Sequence, residues 1–96
     1  MKTNRIGTQT VSPASLPISP HTPAPYVGPS RDEVLAMRAQ YLTPGLITYY
    51  RKPLLIAEGH MQYVWDETGK QYLDAFAGIV TVSVGHCHPK VVEKVR

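Results

Sequence analysis

The sequence has few of the features by which a small domain stabilises itself or reaches a membrane. It has one cysteine, Cys87, among 96 residues, so no disulfide can form within the chain. No apolar run approaches the roughly 20 residues of a membrane-spanning helix, and the amino-terminal end lacks the apolar stretch of a secretory signal. These absences exclude a disulfide-stapled domain and favour a soluble, intracellular protein.

Acidic residues are also missing from the tail, residues 1–29, which is instead rich in Ser, Thr and proline. Six of the nine prolines lie there, and proline fixes φ and removes a backbone donor. We therefore predict a disordered tail at 1–29 and an ordered part at 30–96. A basic, acid-free tail also allows a mitochondrial transit peptide, although arginines are few. The expected location is cytoplasmic, or the mitochondrial matrix in a eukaryote.

Charge is nearly balanced in the ordered part. The net charge is +3, of which Lys2 and Arg5 in the tail supply +2. A nucleic-acid surface would concentrate Lys and Arg on one face, so nucleic acid is not an expected partner.

A helix is predicted at the start of the ordered part. Ser30 and Glu33 have the spacing of a capping box, in which each side chain bonds to the backbone amide of the other residue. Leu35, Ala39 and Leu42 then recur as one apolar stripe. The sequence Thr-Pro-Gly at 43–45 should end the helix.

Three short strands are predicted next, at residues 54–57, 61–65 and 71–74, because these runs are rich in β-branched or aromatic residues. Turn signals separate them, Glu58-Gly59 first and residues 66–70 second. The predicted fold class is therefore α+β, an amino-terminal helix plus a three-stranded antiparallel meander. Such a sheet leaves a face and both edges uncovered, so it suits an appendage on a larger domain.

Residues 75–84 are almost wholly apolar, which predicts a path through an interior or an interface. Gly85 to Pro89 interrupt this run. Pro89 is then well placed as the first residue of a final helix, whose valines, Val91, Val92 and Val95, should face inward. This helix stops barely two turns in, at Arg96, and we expect a truncated chain.

Two groups of side chains could suggest a metal site and a nucleophilic cysteine, but the sequence supports neither. Zinc normally requires four ligands, and His86, Cys87 and His88, with His60 and His21 elsewhere, fall short of a paired ligand pattern. No metal site is therefore expected, and a turn with locally bonded histidines is preferred. Cys87 as a nucleophile would need a base and an orienting group, so a packed or partly exposed thiol is favoured.

The remaining polar motifs favour structural roles. Asp66 and Glu67 lie in a predicted turn, where Asp bonds to the backbone, and the same structural interpretation is preferred for Asp74 over acid/base catalysis. The glycines match neither a Walker loop nor a dinucleotide fingerprint. The residues alone indicate an α+β segment that needs a partner.

The stretch from 63 to 89 resembles the opening of class III aminotransferases. An aromatic residue and Asp-x-x-Gly-x-x-Tyr-Leu-Asp (66–74) are followed by Gly78-Ile79 and then by Gly-His-x-His-Pro (85–89) before a helix. Within that family, residues 41–45, 50–54 and 78–86 are most similar to the alanine–glyoxylate aminotransferase 2-like branch. The resemblance covers the chain from about Gly28 to its end.

This resemblance implies part of the small domain of a fold-type I, homodimeric enzyme that uses pyridoxal 5′-phosphate (PLP). Its activity would be transfer of an amino group from an alanine-like amino acid to a glyoxylate- or pyruvate-like 2-oxo acid. The family's catalytic lysine and its cofactor-binding residues lie further along the chain. This segment is therefore expected to contain no catalytic, cofactor-binding or metal-binding residue and to be inactive alone.

The resemblance places Gly78, Ile79 and Val80 at the substrate pocket, although Ile79 could equally well only pack in an interface. The lysines Lys52, Lys70, Lys90 and Lys94 are expected to be solvated. The alternative function is a stand-alone interaction module that binds a partner subunit through its exposed sheet and apolar segment.

Overall fold

The computed structural model describes residues 17–96, and within that range the chain forms two right-handed helices, one four-residue turn with non-helical backbone, and one three-stranded sheet. In chain order the elements are α1 (Arg31–Tyr41), β1 (Ile56–His60), β2 (Tyr63–Asp66), β3 (Gln71–Leu73), α2 (Ala77–Val80) and α3 (Pro89–Val95). The sheet is antiparallel in the order β1-β2-β3. The predicted α+β class with one early helix and a meander is confirmed.

The capping box predicted at the start of α1 is present. The Ser30 hydroxyl accepts a hydrogen bond from the Glu33 amide at 3.3 Å, and the Glu33 carboxylate accepts one from the Ser30 amide at 2.7 Å. These bonds satisfy two amides that a helix start leaves without an intrahelical partner. Arg31 then ties the helix to the sheet, because its guanidinium donates to the Glu67 carboxylate at 2.5 Å.

The first predicted turn is wrong, whereas the second is confirmed. Glu58 and Gly59 lie inside β1, and the chain reverses instead at residues 61–62. A Cβ on Gly59 would lie 2.8 Å from Cγ of His86, so this glycine makes room for a ring rather than a turn. The turn between β2 and β3 has Gly69 in the left-handed region at φ 83°, where glycine is favoured.

The core lies on one face of the sheet. The strand register pairs Glu58 with Trp65 and Trp65 with Gln71, so these side chains share that face. Trp65 is 3% exposed and Tyr63 is 5% exposed, which makes them the buried hydrophobic side chains of residues 17–96.

An extended segment, residues 17–24, covers this face, and we call it the strap. At β3, the Ser19 amide donates to the Gln71 side chain, whose amide in turn donates to the Pro17 carbonyl, both at 3.2 Å. Towards β1, the ring of His21 stacks on that of His60 at 4.4 Å and tilts against Trp65 at 5.3 Å. The core is therefore closed by residues that lie far from the strands in sequence.

The predicted boundary at residue 29 remains a prediction. Residues 1–16 lie outside the described range. Residues 17–29 form neither a helix nor a strand. The strap is nonetheless attached to the sheet by specific contacts that composition did not indicate.

Helix α3 begins as predicted, with Pro89 in its first turn. The prediction that its valines face inward is wrong for Val91 and Val95, which are 51% and 82% exposed. Within residues 17–96 no other helix or strand packs against α3, so its apolar side has nothing to face. Among the helices of these residues, none combines the length and the apolar character needed to cross a lipid bilayer.

Candidate functional site

The apolar run contains a backbone conformation that L-amino acids rarely adopt. Four consecutive residues have positive φ: Ala77 at 49°, Gly78 at 59°, Ile79 at 57° and Val80 at 59°. Left-handed backbone brings Cβ close to the following carbonyl, and the conflict is most serious for β-branched residues. Such conformations persist where the surrounding structure holds them, and they cluster at functional sites.

The side chains of this turn point outwards. Ile79 is 66% exposed, Val80 is 87% exposed and the preceding Phe76 is 62% exposed. Beside them, Phe76 joins Tyr49 and Tyr50 around an open surface cavity of about 400 Å³. The structure thus places the predicted pocket residues side by side on one strained turn. Their predicted role at a substrate pocket, and the predicted interior path of this run, remain predictions.

Asp74 fixes the start of the turn. One of its carboxylate oxygens, Oδ1, accepts hydrogen bonds from the amides of Phe76 and Ala77 at 3.1 and 3.0 Å. The other, Oδ2, lies 2.7 Å from Nε2 of His86. The hydrogen bond with His86, followed by that from the Ala77 amide, lowers the pKa of Asp74 below its ordinary value. The carboxylate therefore stays charged at neutral pH.

His86 is held on its other sides by the hairpin of β1 and β2. Its amide donates to the Met61 carbonyl at 2.8 Å, and the Met61 amide donates to the His86 carbonyl at the same distance. Its ring packs against the bare Cα of Gly59. Asp74 and His86 together connect the hairpin, the end of β3 and the start of α2.

Asp66 serves the turn after β2, as predicted. It is 5% exposed, and its carboxylate accepts hydrogen bonds from the Thr68 hydroxyl at 2.6 Å, the Tyr72 hydroxyl at 2.8 Å and two backbone amides. Burial by itself raises the pKa of this carboxyl, but the hydrogen bonds from Thr68, Tyr72 and Lys70 outweigh burial and lower the pKa to about 2. A carboxylate that is charged at neutral pH and accepts several hydrogen bonds is suited to structure rather than to proton transfer.

The histidines are divided between two places. His21 of the strap stacks on His60, while His86 lies with Asp74, which is twelve residues earlier in the chain and therefore not the local partner predicted for it. Cys87 is an exposed free thiol. Within the described part of the chain, no three His, Cys, Asp or Glu side chains are grouped so as to hold a metal ion.

The lysines of the described residues lie on the surface. Lys52, Lys70, Lys90 and Lys94 are all exposed. A lysine that binds PLP covalently acts from an enclosed pocket, where desolvation adjusts its pKa. Residues 17–96 enclose no lysine, and the expectation that this segment contains no cofactor-binding residue remains a prediction.

The pairing of Asp74 with His86 was missed by sequence reasoning. Twelve residues separate the two, so no local turn or helix rule connects them. A signal was nevertheless present, because an Asp at the end of a strand commonly bonds to the amides that follow it. Its second partner depends on tertiary structure alone.

Comparison with known proteins identifies the family. Residues 48–96, just over half of the chain, match the family model described as Aminotransferase class-III. The chain is 56% identical over 82 residues to "Alanine--glyoxylate aminotransferase 2 homolog 2, mitochondrial" of Arabidopsis thaliana, with 85% of this chain and 17% of that protein covered. It is 49% identical over 69 residues to "Alanine--glyoxylate aminotransferase 2, mitochondrial" of Homo sapiens, with 72% and 13% covered.

Solved structures of aminotransferases share the fold. An ornithine aminotransferase from Toxoplasma gondii, crystallised with partial occupancy of PLP at its active site, matches with TM-score 0.56 and 34% identity over 67% of this chain and 14% of that one. An omega-transaminase from Thermomicrobium roseum matches with TM-score 0.52 and 34% identity over 71% and 16%. The chain thus spans less than a fifth of the relatives' length. It belongs to the class III aminotransferase family, whose members are PLP enzymes.

Proposed function

We propose that this chain forms part of a PLP-dependent aminotransferase that moves an amino group from an alanine-like amino acid to a glyoxylate- or pyruvate-like 2-oxo acid. The observation that carries the proposal is the left-handed turn at Ala77–Val80. It displays apolar side chains at the place where the family resemblance puts a substrate pocket. The names of the Arabidopsis and human relatives support the choice of substrates.

Within this function, Gly78, Ile79 and Val80 contribute one wall of the substrate pocket. Apolar side chains with few polar groups line most small-molecule sites. A branched aliphatic side chain at 79 accepts a methyl group and offers nothing to pair with a charged or hydroxylated donor side chain. The exposure of Ile79 and Val80, 66% and 87%, leaves both available to face a substrate.

The cofactor would be held elsewhere in the complete enzyme. The exposed lysines of residues 17–96 supply no enclosed site for it, so we propose that the 96 residues alone do not transaminate. We further propose that the complete enzyme is a homodimer. The apolar side chains of residues 76–84 would then be covered by more protein, either within the subunit or across the interface.

A chimera tests the activity. This chain replaces the matching segment of the Arabidopsis relative, and amino transfer to glyoxylate is measured with alanine and with phenylalanine as donors. The wild-type chimera is expected to prefer alanine. Ile79→Ala enlarges the pocket wall, so it should raise the relative kcat/KM for phenylalanine by about tenfold. The matched control, Val91→Ala on α3, should leave the ratio unchanged.

A chimera that binds PLP but shows no amino transfer would overturn the proposal. For the 96-residue chain alone, PLP and borohydride are added and the lysines are mapped by mass spectrometry. Scattered, weak labelling is expected of exposed amines. A cofactor adduct on one specific lysine would contradict the claim that the chain alone is inactive.

We also propose a mitochondrial location, which the relatives' names state of those proteins. Residues 1–29 carry Lys2 and Arg5 and no acidic residue, a composition compatible with import. Fusion of residues 1–29 to a fluorescent protein, expressed in plant cells, checks this proposal. Import is expected, and a fusion that stays in the cytosol would contradict it.

The second candidate is an interaction module that binds a partner subunit. The exposure of Phe76, Ile79 and Val80 favours it, whereas the strap already covers one face of the sheet. Saturable binding of the isolated chain to the Arabidopsis enzyme, combined with no amino transfer by the chimera, would favour the module. Amino transfer by the chimera without such binding would favour the enzyme part.

A further inference from the structure

We propose that Asp74 and His86 are a positioning pair that sets the conformation of Ala77–Val80 and thereby fixes where Ile79 lies in the substrate pocket. This inference rests on the proposed function of that turn. Neither residue is proposed to touch the substrate or the cofactor. Their effect would be on which donors are accepted and not on the chemistry of transfer.

The pair supplies what the turn lacks. Left-handed backbone at Ala77, Ile79 and Val80 is intrinsically unfavourable, so something outside the turn must hold it. Inside the turn, the Thr81 hydroxyl donates to the Gly78 carbonyl at 2.6 Å, and the Thr81 amide donates to the Ala77 carbonyl at 3.1 Å. These bonds close the turn but do not orient it relative to the sheet.

Asp74 provides that orientation. Its Oδ1 accepts hydrogen bonds from the amides of Phe76 and Ala77. Ala77 is the first residue of the left-handed run, and Phe76 directly precedes it. A single oxygen that accepts two successive amides fixes the direction in which the chain leaves β3. The carboxylate is largely covered, with 17% of the side chain exposed, so water competes little for these bonds.

His86 keeps the carboxylate in place. A carboxylate can rotate, and its second oxygen is held by Nε2 of His86 at 2.7 Å. The histidine cannot swing away easily, because paired backbone bonds join it to Met61 and its ring fills the space above Gly59. These contacts attach the turn to the β1–β2 hairpin.

The decisive measurement is donor preference in the chimera described above. The ratio of kcat/KM for alanine to that for phenylalanine does not depend on the fraction of enzyme that is folded, so a merely structural role would leave it unchanged. Asp74→Ala and His86→Ala should each lower this ratio by about fivefold. His86→Gln, which keeps a donor near the Nε2 position, should restore most of it.

Gly59→Ala tests the same idea without removing either partner. Its Cβ would lie 2.8 Å from Cγ of His86, so the ring must move and the ratio should fall in the same direction. Gly69→Ala is the matched control, since a Cβ there meets nothing within 4 Å although φ is 83°. It should reduce stability and leave donor preference unchanged.

A second readout uses the 96-residue chain itself. Amide exchange followed by NMR should show the Phe76 and Ala77 amides losing protection in Asp74→Ala and His86→Ala. His88→Gln, which changes the other histidine of the same motif, should not affect them. Unchanged exchange at both amides in His86→Ala would overturn the proposal.

The two proposals can fail separately. If the wild-type chimera transaminates and Ile79→Ala changes donor preference, the proposed function stands. An unchanged preference in His86→Ala, Asp74→Ala and Gly59→Ala would then overturn only the positioning pair. If Ile79→Ala has no effect, the pocket role of the turn fails first, while the exchange experiment still reports on the pair.

Discussion

In the sheet, from β1 to β3, the large aromatic side chains are covered, whereas in residues 75–84 the large apolar side chains stand open to solvent. Trp65 is 3% exposed and Val80 is 87% exposed. The backbone shows the same contrast. The sheet region has one non-glycine residue with positive φ, Met61 at the hairpin turn, while α2 has three within one turn.

The difference separates residues that stabilise this chain by burial from residues whose exposed apolar side chains do not stabilise it. The sheet and strap bury their own core, which contains Tyr63 and Trp65. The turn at Ala77–Val80 combines strain with exposure, which together lower stability in an isolated chain. Such a combination is understandable where the segment contacts a substrate or further protein.

The largest expected effect comes from removing the centre of the covered region. Trp65→Ala should destabilise the chain by about 3–5 kcal/mol, because a buried Trp side chain is lost and a cavity remains beneath the strap. That loss is comparable to the whole stability of a chain this small. Circular dichroism during heating should show no cooperative transition.

Tyr49→Ala is the control for this experiment. Tyr49 is 92% exposed, so its removal should change stability by no more than about 0.5 kcal/mol. If the two substitutions changed stability equally, burial of Trp65 would not explain its contribution, and the distinction between covered and exposed regions would be wrong.

The next effect is a pH dependence carried by Asp66. Its pKa is about 2 in the folded chain, below the ordinary 3.8, so its contribution is full above pH 3.8. The contribution is lost as the pH falls through about 2. The shift corresponds to roughly 2 kcal/mol, measurable by urea unfolding at a series of pH values.

Asp66→Asn should remove that pH dependence and lower stability at neutral pH. Asp32→Asn, at an exposed position in the first turn of α1, is its control. If the free energy of unfolding of Asp66→Asn still fell with pH below 4 as in the wild type, another carboxylate would govern acid unfolding.

A smaller, local effect is expected at the strap. The Glu58 carboxylate binds the His21 ring and accepts a hydrogen bond from the Ala24 amide at 2.8 Å. The hydrogen bond with His21, followed by that from Ala24, lowers the pKa of Glu58. Attachment should therefore be complete above pH 4.5 and weaken as the pH falls through the lowered value.

Amide exchange at Ala24 measures this attachment. Glu58→Gln keeps an acceptor but removes the titrating charge, so protection should be lower at neutral pH and nearly independent of pH below 4.5. Glu93→Gln on α3 is the matched control, because Glu93 is exposed and distant in sequence from the strap. Protection at Ala24 that is insensitive to Glu58→Gln would mean that the His21 and Trp65 contacts hold the strap by themselves.

Local rules predicted the parts of the fold in which the partners are close in sequence. The capping box of Ser30 and Glu33 and the turn of Asp66 and Gly69 each involve residues three positions apart. The physical cause, a side-chain bond to a neighbouring amide, is readable from residue type and spacing.

The same rules failed where the partner is distant. Glycine is common in turns, so residue type predicts a turn at Gly59. In the structure this position lacks a side chain because the ring of His86 packs against it. The strap was hidden by its composition, since prolines remove periodicity and the contacts are made to Gln71 and Glu58. Propensity describes the conformation that a residue's own backbone prefers. The structural roles of Gly59 and the strap depend instead on tertiary contacts with residues that are distant in sequence.

The candidate site was predictable only through the family resemblance. Ile79 and Val80 are among the residues least suited to left-handed backbone, so no propensity rule would place them there. The motif located Gly78, Ile79 and Val80, and the structure added the strain, the exposure and the link from Asp74 to His86. What sequence reasoning lacked was the tertiary contact that makes the conformation possible.

The smallest expected effect is the most direct test of the open region. Val80→Ser replaces an apolar side chain that is 87% exposed, so the free energy of unfolding should change by less than about 0.5 kcal/mol. Solubility should rise, because an exposed apolar patch loses a member. Chemical unfolding and light scattering measure the two quantities on the same sample. A loss of stability of several times that size would mean that Val80 is covered by the chain itself, and the exposure of this turn could no longer be attributed to a site that awaits a substrate or further protein.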